Sequence, residues 1–135
     1  MRIWQKHFSI EQKYKMRSKE FNAAVGQLGE RLASEYLKKK GYKILVQNYR
    51  TRYAEIDLVA RHKDVLVFVE VRTRIGERFG TPEETLNSKK LQRVRRNATW
   101  YAGHIKWDKL YRVDAVCIVL DENHAVQRLK HYENI

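Results

Sequence analysis

Three acidic residues lie within two short apolar segments of this chain, where core-forming side chains would be expected. The segments are residues 54–59 and 65–72, and the acids are Glu55, Asp57 and Glu70. Carboxylates gathered on a sheet face cost free energy unless something cationic lies between them. A divalent metal ion is the natural candidate, because carboxylate oxygens are its preferred ligands.

Residues 60–64 separate the two segments and have the length and polarity of a tight turn, which predicts a β-hairpin. Alternate residues of a strand share a face. Glu55 and Asp57 therefore face together on the first strand. Glu70 and Arg72 face together on the second, so the hairpin would bring the three carboxylates and the guanidinium to one face.

The register of this hairpin depends on where the chain turns. A two-residue turn at positions 62–63 would place Asp57 opposite Phe68. The same turn would place Glu55 opposite Glu70. We therefore expect acids of both strands to lie close enough to share one ion.

Phosphodiester hydrolysis is the chemistry that such a site would support. A metal ion polarises the phosphate, stabilises negative charge and lowers the pKa of the attacking water. Magnesium usually keeps several waters, so Asp57, Glu70 and the carbonyl of Val71 would suffice as ligands. Glu55 would add a ligand or hold a water, and Arg72 would meet the scissile phosphate. The alternative is an exposed sheet face whose acids simply pair with Arg72 and nearby lysines.

The charge of the chain favours a polyanionic partner. A formal net charge of +12 on 135 residues points to nucleic acid before other partners. Lys89, Arg93 and Arg96 follow i, i+4, i+7 spacing and would lie along one stripe of a helix. Such a stripe beside a metal site suits backbone contacts with nucleic acid, although an ordinary solvated helix face has the same pattern.

Hydrophobic periodicity predicts the order α-β-β-β-α-β-β, an α/β fold with a mixed sheet flanked by helices. The first helix is predicted from an N-cap at Ser18 to Lys40, before Gly41. The second is predicted from a cap at Ser88 to Gly103. The predicted strands cover residues 42–49, 54–60, 65–73, 112–120 and 125–131, and residues 74–87 form a loop.

The length predicts one domain over residues 18–135, preceded by a basic extension over residues 1–17. This extension is either an arm that touches nucleic acid or a packed strap. Gly26 and Gly29, inside the first helix, indicate close backbone packing or room for a ligand beside Glu30.

Several classes of protein are excluded by composition. No apolar run reaches membrane-spanning length, and the first residues lack the apolar block of a signal peptide. The single cysteine, Cys117, gives no disulfide framework and is expected to be buried. We expect a cytoplasmic protein with no membrane partner. Asp114, among apolar residues, either partners an arginine or supports the acidic site from behind.

Seven short motifs between residues 20 and 120 are specific in combination. They are Gly26-x-x-Gly29-Glu30-x-x-Ala33, Asn48-Tyr49-Arg50, Glu55-Ile56-Asp57-Leu58-Val59, Val67-Phe68-Val69-Glu70-Val71-Arg72-Thr73-Arg74, Phe79-Gly80, Lys89-Lys90 and Arg112-Val113-Asp114. Together they resemble the YraN family of small bacterial proteins. The resemblance implies a restriction-endonuclease-like fold, similar to archaeal Holliday-junction resolvases, and a nuclease-like site.

Carried over to this chain, the resemblance implies that Glu30 is the acid of the first helix and that Asp57 and Glu70 bind metal. Arg72 stands where the general nuclease pattern has a lysine. Arginine stays protonated, so it can stabilise a pentavalent phosphate but cannot act as a general base.

The sequence therefore predicts a nuclease that uses Mg²⁺ or Mn²⁺ and acts on DNA, including branched or otherwise structured DNA. The predicted nucleic-acid contacts are Lys89, Lys90, Arg93, Arg96 and Arg74. Two alternatives stay open: a nucleic-acid-binding module with a vestigial site, and an interaction protein whose basic surface meets an acidic partner. Resolution of branched DNA would require a homodimer, whose surface no residue identifies.

Overall fold

The computed structural model describes residues 10–135, with side chains from residue 18 onward. Helix α1 spans Ile10–Lys39. It begins well upstream of Ser18, so the predicted cap at Ser18 is wrong, because the helical backbone continues through residues 10–17. Residues 1–9 of the predicted extension lie outside the described part. The predicted C-terminal end is confirmed, since Gly41 follows the helix with a φ of 90°.

Five strands form one sheet in the order β1-β2-β3-β4-β5. Their bounds are β1 Lys43–Arg50, β2 Glu55–His62, β3 Val65–Ile75, β4 Tyr111–Leu120 and β5 Val126–Tyr132. β3 and β4 pair in parallel, and the other neighbours are antiparallel. The predicted mixed sheet and the predicted order of elements are confirmed.

Helix α2 spans Ser88–His104 and lies in the connection between β3 and β4. Its N-cap is Asn87, whose side chain accepts a hydrogen bond from the Lys90 N–H at 2.8 Å. The predicted cap at Ser88 is therefore wrong by one residue, since asparagine caps a helix as well as serine does. The predicted loop before it contains a short 3₁₀ helix, Pro82–Thr85.

The two helices cover opposite faces of the sheet. α1 packs its apolar side against one face of the central strands, and α2 packs against the other. Fully buried side chains on the α1 face include Leu37, Leu58, Val67, Val69, Val116 and Ile118, and those on the α2 face include Ile56, Val59, Phe68, Val94 and Ala98. Polar side chains on the middle strands are therefore removed from water. Neither helix described over residues 10–135 is long and apolar enough to cross a membrane.

The β2–β3 hairpin turns one residue later than predicted. His62 pairs with Val65, so Lys63 and Asp64 form the turn. Lys63 has a φ of 55°, and Arg61 closes the turn by donating to its carbonyl at 2.9 Å. The register predicted for the acids is therefore wrong by two residues. A shift of two leaves the expected alternation of side chains unchanged, so the shared face of the acids stays a prediction.

Asp114 is the structural partner of an arginine, the first of its two predicted roles. Its carboxylate accepts from Arg112 Nε at 2.9 Å and from the Asn134 N–H at 3.0 Å, and it contacts His131 Nε2 at 2.8 Å. Burial raises the pKa of Asp114, but these hydrogen bonds outweigh it and lower the pKa. Asp114 pairs with Val69 in the sheet, so it faces α1, away from Glu70. Cys117 is buried, as predicted.

Candidate active site

The acidic site begins where the β2–β3 ladder stops. The paired register ends at Leu58 and Val69, yet β3 continues to Ile75. At this point Asp57 Oδ2 accepts a hydrogen bond from the Val71 N–H at 2.8 Å. The side chain thus takes the place of a backbone acceptor, which holds the Asp57 carboxylate against the edge of β3.

This hydrogen bond also orients the carbonyl of Val71. The N–H and C=O of one residue in an extended strand point to the same side. Since the N–H of Val71 points at Asp57, its carbonyl oxygen must point to that side as well. Two of the three predicted ligands, Asp57 and the Val71 carbonyl, therefore meet at one edge of β3.

Glu70, the third predicted ligand, is almost completely buried, with 3% of its surface exposed. Its Oε1 pairs with Arg72 Nη2 at 3.1 Å and with Lys90 Nζ at 3.7 Å. Its Oε2 is buried and has no hydrogen-bond partner among the described residues. A buried carboxylate oxygen without a partner is costly, which makes this atom the strongest local sign of a missing cation or donor.

The electrostatics of the two carboxylates agree with this interpretation. Burial raises the pKa of Glu70 to about 7, and the nearby charge of Asp57 adds to the shift. Burial also raises the pKa of Asp57, against the effect of the Val71 N–H. The positive charges of Lys90 and Arg72 are thus insufficient to offset the burial of two acids.

Glu30 reaches the site from α1. Burial is the largest effect that raises the pKa of Glu30, and the negative charges of Asp57 and Glu55 raise it further. The Asn48 amide, oriented with its nitrogen toward the acids, donates to Glu30 Oε2 at 3.2 Å and to Glu55 Oε1 at 3.0 Å. Asn48 has a φ of 53°, a conformation that asparagine adopts more readily than most residues. One amide therefore ties the acid of the helix to the acid at the start of β2.

Glu55 has a second partner, because its Oε2 accepts from Arg50 Nη2 at 2.9 Å. Among the side chains described from residue 18 onward, no three from His, Cys, Asp or Glu come together closely enough to hold an ion by themselves. Glu55 therefore already has hydrogen-bond partners, which leaves Asp57, Glu70 and the Val71 carbonyl as the candidate oxygen donors.

These donors fit a hard divalent cation. Mg²⁺ and Mn²⁺ prefer oxygen ligands, and Mg²⁺ keeps several waters, so two carboxylates and one carbonyl form an adequate protein set. Glu70 Oε2 has no hydrogen-bond partner among the described residues, and the pKa values of Asp57 and Glu70 are both raised. A positive charge beside them would stabilise both groups as carboxylates. The competing feature is the pair of cations, Arg72 and Lys90, already on Glu70 Oε1.

Lys89, Arg93 and Arg96 are exposed on α2, while Lys90 is half-buried and turned toward Glu70. The stripe was predicted as three residues on one helix face, and all three are accessible to a nucleic acid. α2 is tied to the β1–β2 connection by Asn97, which accepts from Thr51 Oγ1 at 2.6 Å and donates to the Ala54 carbonyl at 2.8 Å. The basic stripe is thereby fixed relative to the start of β2, where the acids lie.

Arg74 lies elsewhere, in a cleft of about 490 Å³ between α1, the end of β3 and the loop that follows. Glu30 and Arg72 also line this cleft. Gly29 permits the approach of α1, because a Cβ there would overlap the side chain of Thr73 on β3. The predicted close backbone packing at Gly29 is confirmed.

A protein-family model described as "Uncharacterised protein family UPF0102" matches residues 29–118. This range includes Glu30, Asp57, Glu70 and helix α2. This chain belongs to the UPF0102 family. UPF0102 and YraN are two names of one family, so the family predicted from the motifs is confirmed.

Curated UPF0102 relatives resemble this chain over most of its length. The UPF0102 protein of Pelotomaculum thermopropionicum is 41% identical over 111 residues, which cover 82% of this chain and 92% of that relative. The UPF0102 protein of Alkaliphilus oremlandii is 43% identical over 118 residues, which cover 84% and 97%. That of Syntrophomonas wolfei is 50% identical over 80 residues, which cover 59% and 70%.

Sequence reasoning missed two contacts of the UPF0102 site. Asn48 was part of a motif but had no role, although asparagine in a strand-like segment is itself a signal of unusual backbone. Lys90 was expected to contact nucleic acid, but its ammonium group contacts Glu70. Its i,i+3 offset from Arg93 gave no sign of this, because the rotation of α2 about its axis is set by packing.

Proposed function

We propose that this UPF0102 protein is a nuclease that uses Mg²⁺ or Mn²⁺ to hydrolyse phosphodiester bonds in DNA, including branched DNA. The observation that supports this most is the buried, unpartnered Glu70 Oε2 next to Asp57. Glu70 is buried and Asp57 is half-buried, both have raised pKa values, and a divalent ion would stabilise both as carboxylates beside a basic surface suited to a phosphate backbone.

Asp57, Glu70 and the Val71 carbonyl would hold the ion. When bound, it supplies a Lewis acid for the phosphate and acidifies a water. Asp57 is positioned for this by its hydrogen bond from the Val71 N–H at 2.8 Å. Because Oδ2 is used there, Oδ1 is the oxygen of Asp57 that would face the ion.

Arg72 would stabilise the charge that develops on the phosphate. Its Nη2 lies 3.1 Å from Glu70, and its Nε has no hydrogen-bond partner among the described residues. The guanidinium can therefore keep its contact with Glu70 and still donate to a phosphate oxygen. It always carries its proton, so its role is electrostatic, and it accepts no proton.

Glu30 would orient a water from the side of α1. It lines the cleft, and Asn48 fixes one of its oxygens. Its pKa is raised by burial and by the two neighbouring acids, which brings it closer to neutral pH than an ordinary glutamate. A carboxyl of this kind can accept a proton at its oxygen during hydrolysis.

Lys89, Arg93 and Arg96 would bind the phosphate backbone beside the cut. They are exposed on α2, and the chain as a whole carries a formal charge of +12. Contacts of this kind supply affinity and position, and they carry no sequence information.

A second function is favoured by a specific observation. Arg72 and Lys90 both reach Glu70 Oε1, so the protein itself supplies two cations where the metal would bind. If Arg72 and Lys90 together neutralise Glu70 so that neither of its oxygens binds a metal ion, the protein is a nucleic-acid-binding module with a vestigial nuclease site.

The deciding experiment is a cleavage panel of linear, single-stranded, flapped and four-way DNA, incubated with Mg²⁺, Mn²⁺ or a chelator. We expect cleavage that requires metal and is lost in Asp57→Asn. The matched control is Leu110→Ala. Leu110 is exposed and lies just before β4, and its carbonyl accepts from the Leu66 N–H near the start of β3, at the other end of that strand from Arg72. This variant should cut normally. If the wild-type protein cuts nothing in either metal, the vestigial-site function takes over. If Asp57→Asn cuts as well as wild type, the activity comes from another site or a contaminant.

A further inference from the structure

Unpartnered buried polar atoms are concentrated at the end of β3. Over the part of the chain with described side chains, Arg72 Nε, Thr73 Oγ1 and Arg74 Nε are buried without a hydrogen-bond partner. These three residues are consecutive, and all three line the 490 Å³ cleft. Buried polar groups are nearly always paired in native proteins. Thr73 Oγ1 packs against Gly29 of α1, so the Arg72 and Arg74 guanidinium groups are the donors that a ligand in the cleft would pair.

The type of donor indicates the type of ligand. Two of the three groups are guanidinium N–H donors, which bind phosphate oxygens with charge-assisted hydrogen bonds. The cleft is adjacent to the acidic site, because Glu30, Val71 and Arg72 line both. An anion bound on Arg74 would therefore lie one short step along a polymer from the Asp57–Glu70 pair.

Two exposed aromatic rings line the same cleft. Phe79 is 85% exposed and Phe21 is 50% exposed, so two large apolar side chains of the cleft face solvent. The Arg78 guanidinium lies over the Phe79 ring at 5.5 Å from its centroid. That leaves the opposite ring face of Phe79 available to a flat partner.

The loop that carries Phe79 is anchored rather than loosely attached. Arg128 on β5 bonds to Glu77 Oε1 at 2.9 Å and to Glu83 Oε2 at 2.5 Å, on either side of Phe79. The Gly80 N–H donates to the Glu77 carbonyl at 3.2 Å. A ring on a tethered loop loses little conformational entropy when it stacks on a ligand.

We propose that this cleft binds one unpaired nucleotide next to the scissile phosphate, with a phosphate on Arg74 and the base stacked on Phe79. The proposal rests on the proposed nuclease function and names its substrate class, DNA with a single-stranded segment at the cut. A base within a duplex is stacked on both faces, so only an unpaired base offers a face to Phe79. The cleft volume of about 490 Å³ is in the range of pockets that hold one small molecule, about 300–1,000 Å³.

Binding in a chelator tests the cleft independently of cleavage. Fluorescence anisotropy would compare a fully paired duplex with the same duplex carrying a short single-stranded arm. Phe79→Ala should weaken binding of the armed DNA roughly 5- to 100-fold, as expected for one stacked base, and leave the duplex unaffected. Phe79→Trp should retain affinity. Phe79→Leu should lose most of it, because leucine keeps apolar contact without a ring.

An abasic scan of the arm locates the base. At one position, removal of the base should weaken binding to wild type but have no further effect on Phe79→Ala, since both changes delete the same contact. Leu110→Ala is the matched control and should behave as wild type throughout. Circular dichroism should show that each variant is folded, as expected for substitutions at exposed side chains.

The proposal is overturned if Phe79→Ala weakens armed and paired DNA equally, if it weakens neither, or if every abasic effect adds to that of Phe79→Ala. These outcomes are distinct from failure of the nuclease function. If the base stacks on Phe79 but no DNA is cut in Mg²⁺ or Mn²⁺, the cleft proposal stands and the nuclease proposal is wrong. If cleavage is unaffected by Phe79→Ala and by the single-stranded arm, the nuclease proposal stands and the cleft proposal is wrong.

Discussion

Asp57 Oδ2 accepts the N–H of Val71 at 2.8 Å where the backbone ladder between β2 and β3 has ended. The Asp57 side chain thereby provides the acceptor for a backbone N–H that β2 leaves unpaired, and the same hydrogen bond fixes the position of its carboxylate. The same contact turns the Val71 carbonyl toward the carboxylate. A single hydrogen bond therefore sets the geometry of two candidate ligands, and its loss should affect both stability and metal binding.

This contact separates two substitutions of Asp57. Asp57→Asn keeps an acceptor for the Val71 N–H and should fold normally, while its DNA binding is retained or improved because a negative charge near phosphate is removed. Asp57→Ala leaves that N–H without its acceptor and should lose about 1–3 kcal/mol of unfolding free energy. Urea unfolding and DNA titrations of both variants measure the two effects. Equal stability of the two variants would show that the hydrogen bond contributes nothing.

Glu70 makes metal-free stability depend on pH. Its folded pKa is about 7, raised from 4.5 chiefly by burial, so the folded state holds a proton that the unfolded state releases. Its contribution is therefore present below about pH 4.5 and lost as pH rises through about 7, by at most about 3 kcal/mol. Glu70→Gln should flatten this slope in urea unfolding at pH 5 and pH 8 with chelator. In wild type, Mg²⁺ or Mn²⁺ should stabilise the protein more at pH 8 than at pH 5, because the ion binds the ionised carboxylate. A metal effect independent of pH would place the ion elsewhere.

The basic stripe of α2 should control the salt dependence of DNA binding. Replacing Lys89, Arg93 and Arg96 together by alanine should weaken binding and reduce the slope of log K against log salt by up to about 3, roughly 0.9 for each lost phosphate contact. The matched control replaces Lys38, Lys39 and Lys130, exposed lysines outside α2 that change the net charge equally. Identical slopes for the two triple variants would mean that charge alone, and not this surface, drives binding.

Arg72 should tolerate lysine but not alanine. Arg72→Lys keeps one cation near Glu70 and the phosphate, so we expect cleavage within about tenfold of wild type. Arg72→Ala removes the partner 3.1 Å from a carboxylate that is 3% exposed, which should weaken DNA binding and reduce cleavage about 100-fold or more. Rates at saturating DNA separate chemistry from binding. Full activity of Arg72→Ala would exclude it from the transition state.

The packing of α1 on β3 should depend on Gly29. Gly29→Ala places a methyl group against Thr73 and should cost about 1–3 kcal/mol of unfolding free energy. Gly26→Ala, where nothing lies within 4 Å, is the matched control and should stabilise the helix by up to about 1 kcal/mol. Combining Gly29→Ala with Thr73→Gly should recover most of the loss, as measured by thermal unfolding. No recovery would show that the strain arises outside this contact.

Local patterns in the sequence determined the order of elements and the mixed α/β class. Each is a property of a few neighbouring residues: helical or alternating periodicity, and the short turn between β2 and β3. Strand bounds were predicted to within two residues of those observed. The family, too, followed from short motifs, because their residues and spacing are read directly along the chain.

Tertiary structure alone decided how the residues of the site meet. The hairpin turns at Lys63 and Asp64, and a shift of two leaves every side chain on the same face, so alternation cannot reveal it. Likewise, the bridge from Asn48 to Glu30 joins a strand to a helix, and the contact of Lys90 with Glu70 depends on how α2 is rotated on the sheet. The cleft beside Arg74 requires α1 to approach β3 at Gly29. Such distances are set by packing between segments far apart in the chain, which no local pattern encodes.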